Sequence, residues 1–168
     1  GLVGSEMCIR DRVFDEYSRV LILGTFPSVK SREQNFYYGH PQNRFWPLVT
    51  MLLGYAEVPL DYADKKQMLL DNRIALWDVL GYCEREGSLD SDITCEQPND
   101  LAGFLQNHPQ IHTICCNGGK AAAAFKKYTR QLDLQRITVH FLPSTSPANA
   151  RWSLTKLLEA WQVINTGR

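Results

Sequence analysis

Residues 24–46, GTFPSVKSREQNFYYGHPQNRFW, gather most of the side chains in this sequence that could do chemistry. The stretch combines three consecutive aromatic rings, a histidine beside a Gly-Pro turn and the side-chain amide of Asn43. Flat rings can stack on a nucleobase, and an amide can hydrogen-bond the edge of a base. An amide is no base near neutral pH, but its carbonyl oxygen can orient a water molecule. A loop this long and this aromatic usually exists for a ligand, so the stretch predicts a site for a flat polar ring.

The same residues also have structural explanations, which stay open at this stage. Asn43 stands just before a helix, where asparagine is a favoured N-cap, and both roles can coexist. The rings of Phe36, Tyr37 and Tyr38 can pack beneath the loop instead of facing a ligand. A lone histidine in a turn, such as His40, is more often structural.

Further polar residues follow the other apolar runs of the sequence. The hydroxyls of the serine-rich stretch 142–149, LPSTSPAN, suit phosphate contacts, although the stretch can also be a simple turn before a helix. The stretch 117–120, NGGK, fits neither the P-loop nor the dinucleotide-binding pattern, which favours a tight turn over a phosphate site. Asp78 is the carboxylate expected at a strand end near the site, where it either binds a base or is simply solvated.

The elements that position these residues alternate between strands and helices. The patterns predict strands at 19–23, 74–80, 111–116 and 137–142. They predict helices at 44–53, 61–72, 101–107, from the NGGK stretch through 128, and at 154–164. The polar segment 83–100 is predicted to be a solvated loop, with Asn99 or Asp100 capping the helix that follows it.

This order indicates an α/β protein, a three-layer α/β/α sandwich around a central, mostly parallel four-stranded sheet. Ligands of such sheets bind outside the carboxyl ends of the strands. The loops that begin at Gly24, Asn117 and Pro143 leave three of these ends, and Trp77 and Asp78 lie near the fourth. We therefore expect these loops to build one site.

Composition narrows the class of protein. The chain has 168 residues, of which 44% are hydrophobic and 21% charged, and a formal net charge of zero. This is typical of one soluble domain, and it argues mildly against binding through non-specific phosphate contacts alone. No apolar run reaches the length of a membrane span.

The cysteines and the first residues of the chain set further bounds. The five cysteines have no metal-binding spacing, and Cys115 and Cys116 should point to opposite faces of a strand. This favours reduced, buried thiols in an intracellular protein and argues against a metal site. Residues 1–12 continue no pattern of the domain, so we interpret them as an artefactual extension and expect a single domain at 13–168.

The blocks GTFPSVKS and FYYGHPQNRFW, with LPSTSPAN near the far end, resemble the DNA-deoxyinosine (hypoxanthine-DNA) glycosylases, a branch of the uracil-DNA glycosylase superfamily. The resemblance runs from residue 17 to the C-terminal helix. It implies a monofunctional, monomeric enzyme that flips a deaminated base, hypoxanthine, out of double-stranded DNA. The enzyme would hydrolyse the N-glycosidic bond of that base without a metal or cofactor and leave an abasic site for base excision repair. Such an enzyme would be cytoplasmic and associated with the nucleoid of a bacterial cell, or otherwise intracellular.

The resemblance also implies roles for individual residues, with Asn43 as the catalytic group. The residues expected to bind the base are Thr25, Phe26, Phe36, Tyr37, Tyr38, His40, Trp77 and Asp78. The residues expected to bind DNA are Ser28, Ser31, Ser144, Thr145, Ser146, Ala148, Asn149 and Arg151. The side chain that wedges into the duplex is expected among the last three of these.

Three other functions remain open on the sequence. The same chemistry could act on uracil or on thymine mispaired with guanine, since pocket shape decides between these bases. The chain could instead be a non-catalytic protein that binds damaged or single-stranded DNA. A flavodoxin-like nucleotide-binding module is disfavoured, because no glycine-rich phosphate loop follows Leu23.

Overall fold

A parallel sheet forms the centre of the computed structural model, which describes residues 12–25, 37–85 and 93–168. In chain order the strands of this part are β1 (Val20–Gly24), β2 (Ile74–Asp78), β3 (Leu80–Arg85), β4 (Ile93–Pro98), β5 (Thr113–Asn117) and β6 (Thr138–Leu142). The helices are α1 (Phe45–Leu52), α2 (Tyr62–Asp71), α3 (Leu101–Asn107), α4 (Gly119–Tyr128), α5 (Leu154–Trp161) and α6 (Val163–Gly167). Four strands pair in the order β2-β1-β5-β6, and each neighbouring pair is parallel. The predicted fold class is confirmed.

Apolar residues of β1 explain why the sheet is covered on both faces. Successive side chains of a strand point to opposite faces. Val20 and Ile22 pack into a core with residues of α1, α2, α5 and α6, whereas Leu21 and Leu23 pack into a second core with residues of α3 and α4. A continuous apolar run is what a strand buried on both faces requires.

The two adjacent cysteines of β5 follow the same alternation, as predicted. Cys115 belongs to the first core and Cys116 to the second, and both are free thiols. Burial raises the pKa of each thiol to about 12. Both thiols are therefore protonated near neutral pH and serve as small apolar side chains.

The prediction that segment 83–100 is a solvated loop is wrong. Strands β3 and β4 pair within it as an antiparallel ribbon, in which Cys83 lies opposite Glu96 and Glu84 opposite Cys95. A backbone ladder satisfies its own N–H and C=O groups whatever the side chains are, so the polar composition gave no apolar alternation to detect.

Two shorter corrections concern the ends of elements. Strand β2 stops at Asp78, two residues before the predicted end, and the N–H groups of Val79 and Leu80 donate to the carbonyls of Gly24 (2.9 Å) and Thr25 (2.8 Å). The predicted last helix divides at Gln162 into α5 and α6. None of the helices in the described ranges is long and apolar enough to cross a membrane.

The predicted N-cap of α3 is confirmed, and the residue before it contacts β2. Asp100 is the N-cap, since its carboxylate accepts from the N–H of Gly103 at 2.9 Å. The neighbouring Asn99 uses its amide elsewhere and donates to the carbonyl oxygen of Asp78 at 2.7 Å. The start of α3 is thereby attached to the carboxyl end of β2.

Candidate active site

The side-chain oxygen of Asn43 is the centre of a hydrogen-bond network at the carboxyl edge of the sheet. Asn43 is half-buried, and its Oδ1 accepts from the backbone N–H of Phe45 at 2.9 Å and from the hydroxyl of Thr145 at 2.8 Å. The first of these contacts is an Asx turn directly before α1, whose N-cap is Arg44. Asn43 is therefore not the N-cap expected from its position but the residue before the cap, and it combines this Asx turn with a tertiary contact to Thr145.

Thr145 connects Asn43 to Asn117 at the end of β5. Only 1% of Thr145 is exposed, and its backbone N–H donates to Asn117 Oδ1 at 3.1 Å. Asn117 Nδ2 in turn donates to the Thr145 hydroxyl at 3.1 Å. The three side chains come from three separate parts of the sequence and form one continuous polar chain.

Arg44 attaches a loop, residues 143–152 (the 143–152 loop), to the start of α1. Its guanidinium donates to the carbonyl oxygens of Ser146 (3.1 Å), Asn149 (2.9 Å) and Trp152. Its backbone N–H donates to the carbonyl of Thr145 at 3.0 Å. A planar guanidinium with five donors suits several carbonyls at once. The residue next to Asn43 thus fixes the loop that carries Thr145.

The 143–152 loop also has hydrogen bonds within itself. The hydroxyls of Ser144 and Ser146 accept from the backbone N–H groups of Ser146 (3.1 Å) and Ala148 (3.2 Å). Asn149 Nδ2 donates to the carbonyl of Ser144 at 3.0 Å. Ala148 and Arg151 are exposed, whereas the two serines and Asn149 are half-buried. Among the described residues that are expected to bind DNA, these two are the exposed ones.

The tyrosines of the aromatic stretch differ in their environments. Tyr37 is 1% exposed and lies in the core, and its carbonyl accepts from Trp46 Nε1 at 2.8 Å. Tyr38 is half-buried, and its ring stacks on Phe45 with the centroids 4.1 Å apart. One face of the Tyr38 ring is thus covered by Phe45, and Tyr37 packs in the core beneath the loop. The other residues predicted to belong to the site in this region, Phe26, Ser28, Ser31 and Phe36, lie outside the described residues.

Asp78 is a buried carboxylate at the end of β2, opposite Gly24 in the register. Only 3% of it is exposed. A Cβ placed on Gly24 would lie 2.7 Å from Asp78 Oδ1 and 3.2 Å from the Tyr38 hydroxyl oxygen. Glycine at position 24 therefore lets the carboxylate and the phenol approach the strand end.

Trp77 does not join this group, although it precedes Asp78 in the sequence. Neighbouring residues of a strand point to opposite faces, and the Trp77 ring lies on the second core, 5.2 Å from the ring of Phe104. The guanidinium carbon of Arg12 lies 4.7 Å from its centroid. Trp77 therefore lies on the face away from Tyr38 and Phe45.

Two other predicted base-binding residues lie at the edge of the site with backbone roles. His40 is exposed, its Nδ1 accepts from the N–H of Gln42 at 3.1 Å, and its carbonyl accepts from the N–H of Asn43 at 2.9 Å. Thr25 is half-buried, and its carbonyl accepts from the N–H of Leu80 at 2.8 Å. Both residues shape the chain around Asn43 and Asp78.

Sequence reasoning did not select Arg44 and Asn117 as site residues. A polar side chain that ends a buried strand was the available signal for Asn117. The glycine after it, Gly118, has φ +96°, and a Cβ there would lie 2.9 Å from the Cβ of Ser144. The NGGK stretch is thus a tight turn packed against the 143–152 loop. In the described ranges, no cluster of three or more potential metal ligands occurs.

These features define a three-layer α/β/α protein whose strand ends hold two amides, a buried carboxylate and a clamped serine-rich loop. Residues 12–165 match the family model of the Uracil DNA glycosylase superfamily. The chain belongs to this superfamily, which confirms the resemblance seen in the sequence motifs.

Individual relatives are similar over nearly the whole chain. A hypoxanthine DNA glycosylase of Methanosarcina acetivorans is 40% identical over 152 residues, which are 90% of this chain and 93% of the relative. A hypoxanthine DNA glycosylase of Methanosarcina barkeri is 33% identical over 149 residues, 89% of this chain and 91% of the relative. A solution NMR structure of a Methanosarcina acetivorans protein, described as a uracil DNA glycosylase, superimposes with a TM-score of 0.76. It is 36% identical and covers 93% of this chain and 96% of its own.

Proposed function

We propose that this protein is a monofunctional DNA glycosylase that removes hypoxanthine from double-stranded DNA as a monomer. The observation that carries the proposal is the network of Asn43, Thr145 and Asn117 at the carboxyl edge of the sheet. The network lies where ligands of such sheets bind, in a chain that is 40% identical to a hypoxanthine DNA glycosylase. A protein with this activity works where DNA is kept, inside the cell.

The reaction is a hydrolysis at C1′ of the deoxyribose. The C1′–N9 bond breaks, and its electron pair goes to the purine while the sugar gains oxocarbenium character. The oxygen of a water molecule then bonds to C1′, and one proton of that water neutralises the purine. The products are free hypoxanthine and an abasic site. Asn43 is the proposed catalytic residue, and no metal, cofactor or lysine Schiff base takes part.

Asp78 is the proposed reader of the damaged base, with the ring of Tyr38 as the proposed stacking surface. Adenine has a bare acceptor at N1, whereas hypoxanthine has an N1–H beside a carbonyl. A carboxylate accepts from that N–H and repels the N1 lone pair of adenine. Uracil has the corresponding N–H at N3, so a second candidate substrate is uracil.

The 143–152 loop is the proposed DNA contact. Ala148 and Arg151 are exposed at its tip, where a small wedge and a cation that binds phosphate are needed. Ser144, Ser146 and Asn149 shape the loop from within. The role of Thr145 is different, because its side chain is buried and its hydroxyl is engaged by the two amides. Thr25, His40, Phe26 and Phe36 remain candidates for the rim of the base pocket, and Ser28 and Ser31 remain candidates for DNA contacts.

Incubation with labelled duplexes tests the function directly. The duplexes carry deoxyinosine, deoxyuridine, deoxyxanthosine or a G·T mispair, and alkali then cleaves the strand at any abasic site. We expect cleavage at deoxyinosine, and none before alkali treatment, because a monofunctional enzyme leaves the strand intact. Binding to these duplexes without cleavage would identify a non-catalytic binder, and faster cleavage at deoxyuridine would favour the uracil alternative.

Substituting Asp78 by asparagine tests the base reader. An amide is a weaker partner for the hypoxanthine N–H and can turn its NH2 toward adenine, so we expect kcat/KM for deoxyinosine to fall about tenfold or more. Excision of 1-methylhypoxanthine, which lacks the N–H, should be slow in the wild type and change less on substitution. Asp71→Asn, an exposed carboxylate on α2, is the matched control. An unchanged preference for hypoxanthine over its methylated form in the Asp78→Asn variant would refute this role.

A further inference from the structure

We propose that Thr145 is a positioning residue that turns the amide of Asn43 so that its NH2 group, and not its carbonyl oxygen, faces the reacting base. The proposal rests on the proposed glycosylase function and assigns the chemistry of its catalytic residue. On sequence alone, Asn43 was expected to orient water through its carbonyl oxygen. The hydrogen bonds around that oxygen lead to a different role.

Two backbone N–H groups fix the orientation of both amides. A backbone N–H can only donate, so the Asn43 atom 2.9 Å from the nitrogen of Phe45 must be the carbonyl oxygen. The same reasoning applies to the Asn117 atom 3.1 Å from the backbone nitrogen of Thr145. Neither amide can be flipped without placing two donors against each other.

The direction of the Thr145 hydroxyl follows from these assignments. Because Asn117 Oδ1 faces the Thr145 N–H, the Asn117 Nδ2 group 3.1 Å from the hydroxyl oxygen donates to it. The hydroxyl proton is then available to Asn43 Oδ1 at 2.8 Å. Burial of Thr145 to 1% exposure keeps water from competing for this bond.

Asn43 Oδ1 consequently has both of its lone pairs occupied by protein donors. A carbonyl oxygen has two lone pairs, which here accept from Phe45 and Thr145. A catalytic water could bind this oxygen only by displacing one of them. The Asn43 Nδ2 group, by contrast, donates to no acceptor in the part of the chain that the structure describes.

A fixed N–H donor has a defined use in this reaction. When the C1′–N9 bond breaks, negative charge develops on the departing purine, and a preorganised donor stabilises that charge. The donor needs no reorientation during the reaction, because Thr145 and Phe45 already hold the amide. Asn43 would thus act on the leaving base, and water attack would follow.

The Asn43→Asp variant separates the two roles. Its carboxylate keeps an oxygen for Phe45 and Thr145 but replaces the NH2 donor by an acceptor. If Asn43 acts as a donor, the single-turnover rate near neutral pH falls by about 10²-fold or more. If Asn43 acts through its oxygen, the carboxylate is at least as good a partner for water, and the rate is kept or raised.

The pH profile of the same variant gives an independent readout. A carboxyl group that takes up a proton as the pH falls toward about 4 becomes an O–H donor, so the ratio of variant to wild-type rate should rise on acidification. The opposite slope is expected for a carboxylate that activates water. The ratio to wild type removes contributions of His40 and Arg44, the titratable and charged neighbours of Asn43 in the chain. Reactions without enzyme correct for acid depurination.

Thr145 is tested by a pair of nearly isosteric changes. Thr145→Val removes the hydroxyl and should lower kcat about tenfold with little change in KM, since one fixing hydrogen bond is lost. Thr145→Ser keeps the hydroxyl and should restore most of kcat. Melting temperatures of both variants show whether a loss follows unfolding. Equal rates in the Val and Ser variants, or a fully active Asn43→Asp variant, would overturn the inference.

Failure of this inference can be told apart from failure of the proposed function. A wild-type protein that excises none of the deaminated bases refutes the function. A wild-type protein that excises hypoxanthine, together with an Asn43→Asp variant whose activity declines on acidification, refutes only the donor role.

Discussion

Replacing Asn43 by alanine should lower the single-turnover rate of hypoxanthine excision by about 10²- to 10³-fold, the usual loss for one preorganised donor. The protein should stay folded, because the Asx turn that is lost with the side chain contributes about 1 kcal/mol. Affinity for the deoxyinosine duplex should change little, since the loop proposed to contact DNA is held by Arg44. Quenched-flow excision assays and fluorescence anisotropy measure the two quantities separately.

A surface asparagine provides the control for this change. Asn107 ends α3 and is exposed, so Asn107→Ala should leave both rate and affinity unchanged. An Asn43→Ala variant that excises hypoxanthine at the wild-type rate would reduce Asn43 to a structural residue of the helix start. A wild-type protein that binds the duplex without excision would instead support the non-catalytic alternative.

The sheet could be predicted from the sequence because its signals are local. A run such as residues 19–23 is apolar without alternation, and a strand buried on both faces needs that pattern. Strands that alternate with helices then leave few topologies other than a parallel sheet. The same order predicted a site at the carboxyl edge of the sheet, which stays a prediction, and the structure places Asn43 and Asp78 at this edge.

The partners within the site were not predictable, because they depend on contacts between distant segments. Trp77 and Asp78 are neighbours in sequence and point to opposite faces of the sheet. Which of these two side chains lies on the same face as Tyr38 depends on how the helices pack. Thr145 has the composition of a surface turn residue, but its hydroxyl completes a bond to Asn43 across 102 positions. A scale of secondary-structure propensities contains neither the choice of face nor the long-range hydrogen bond.

Arg44 is the clearest case of a long-range role hidden in an ordinary residue. Its acceptors lie 102, 105 and 108 positions away, and all are backbone carbonyls. The residue types at the acceptor positions therefore do not indicate this interaction. Nothing in the sequence indicated that this arginine joins α1 to the 143–152 loop.

Substituting Arg44 by methionine should therefore affect both stability and catalysis. Three carbonyls of the 143–152 loop lose their donor, and we expect the free energy of unfolding to fall by about 2–4 kcal/mol. Arg44→Lys should recover only part of this loss, because an ammonium group cannot serve three carbonyls in the geometry of a planar fork. Urea unfolding measures the stability of each variant.

The consequence for catalysis follows from the position of Thr145 in the same loop. With the clamp removed, Thr145 loses its fixed distance to Asn43, so excision should slow even at temperatures where the Arg44→Met variant is fully folded. Hydrogen exchange should show faster exchange in residues 143–152 and unchanged exchange in β1 and β5. Arg136→Met is the matched control, because this exposed arginine also donates to a backbone carbonyl, that of Pro109 at 3.3 Å. A folded Arg44→Met variant with wild-type excision and unchanged loop exchange would show that the loop holds its shape through its own hydrogen bonds alone.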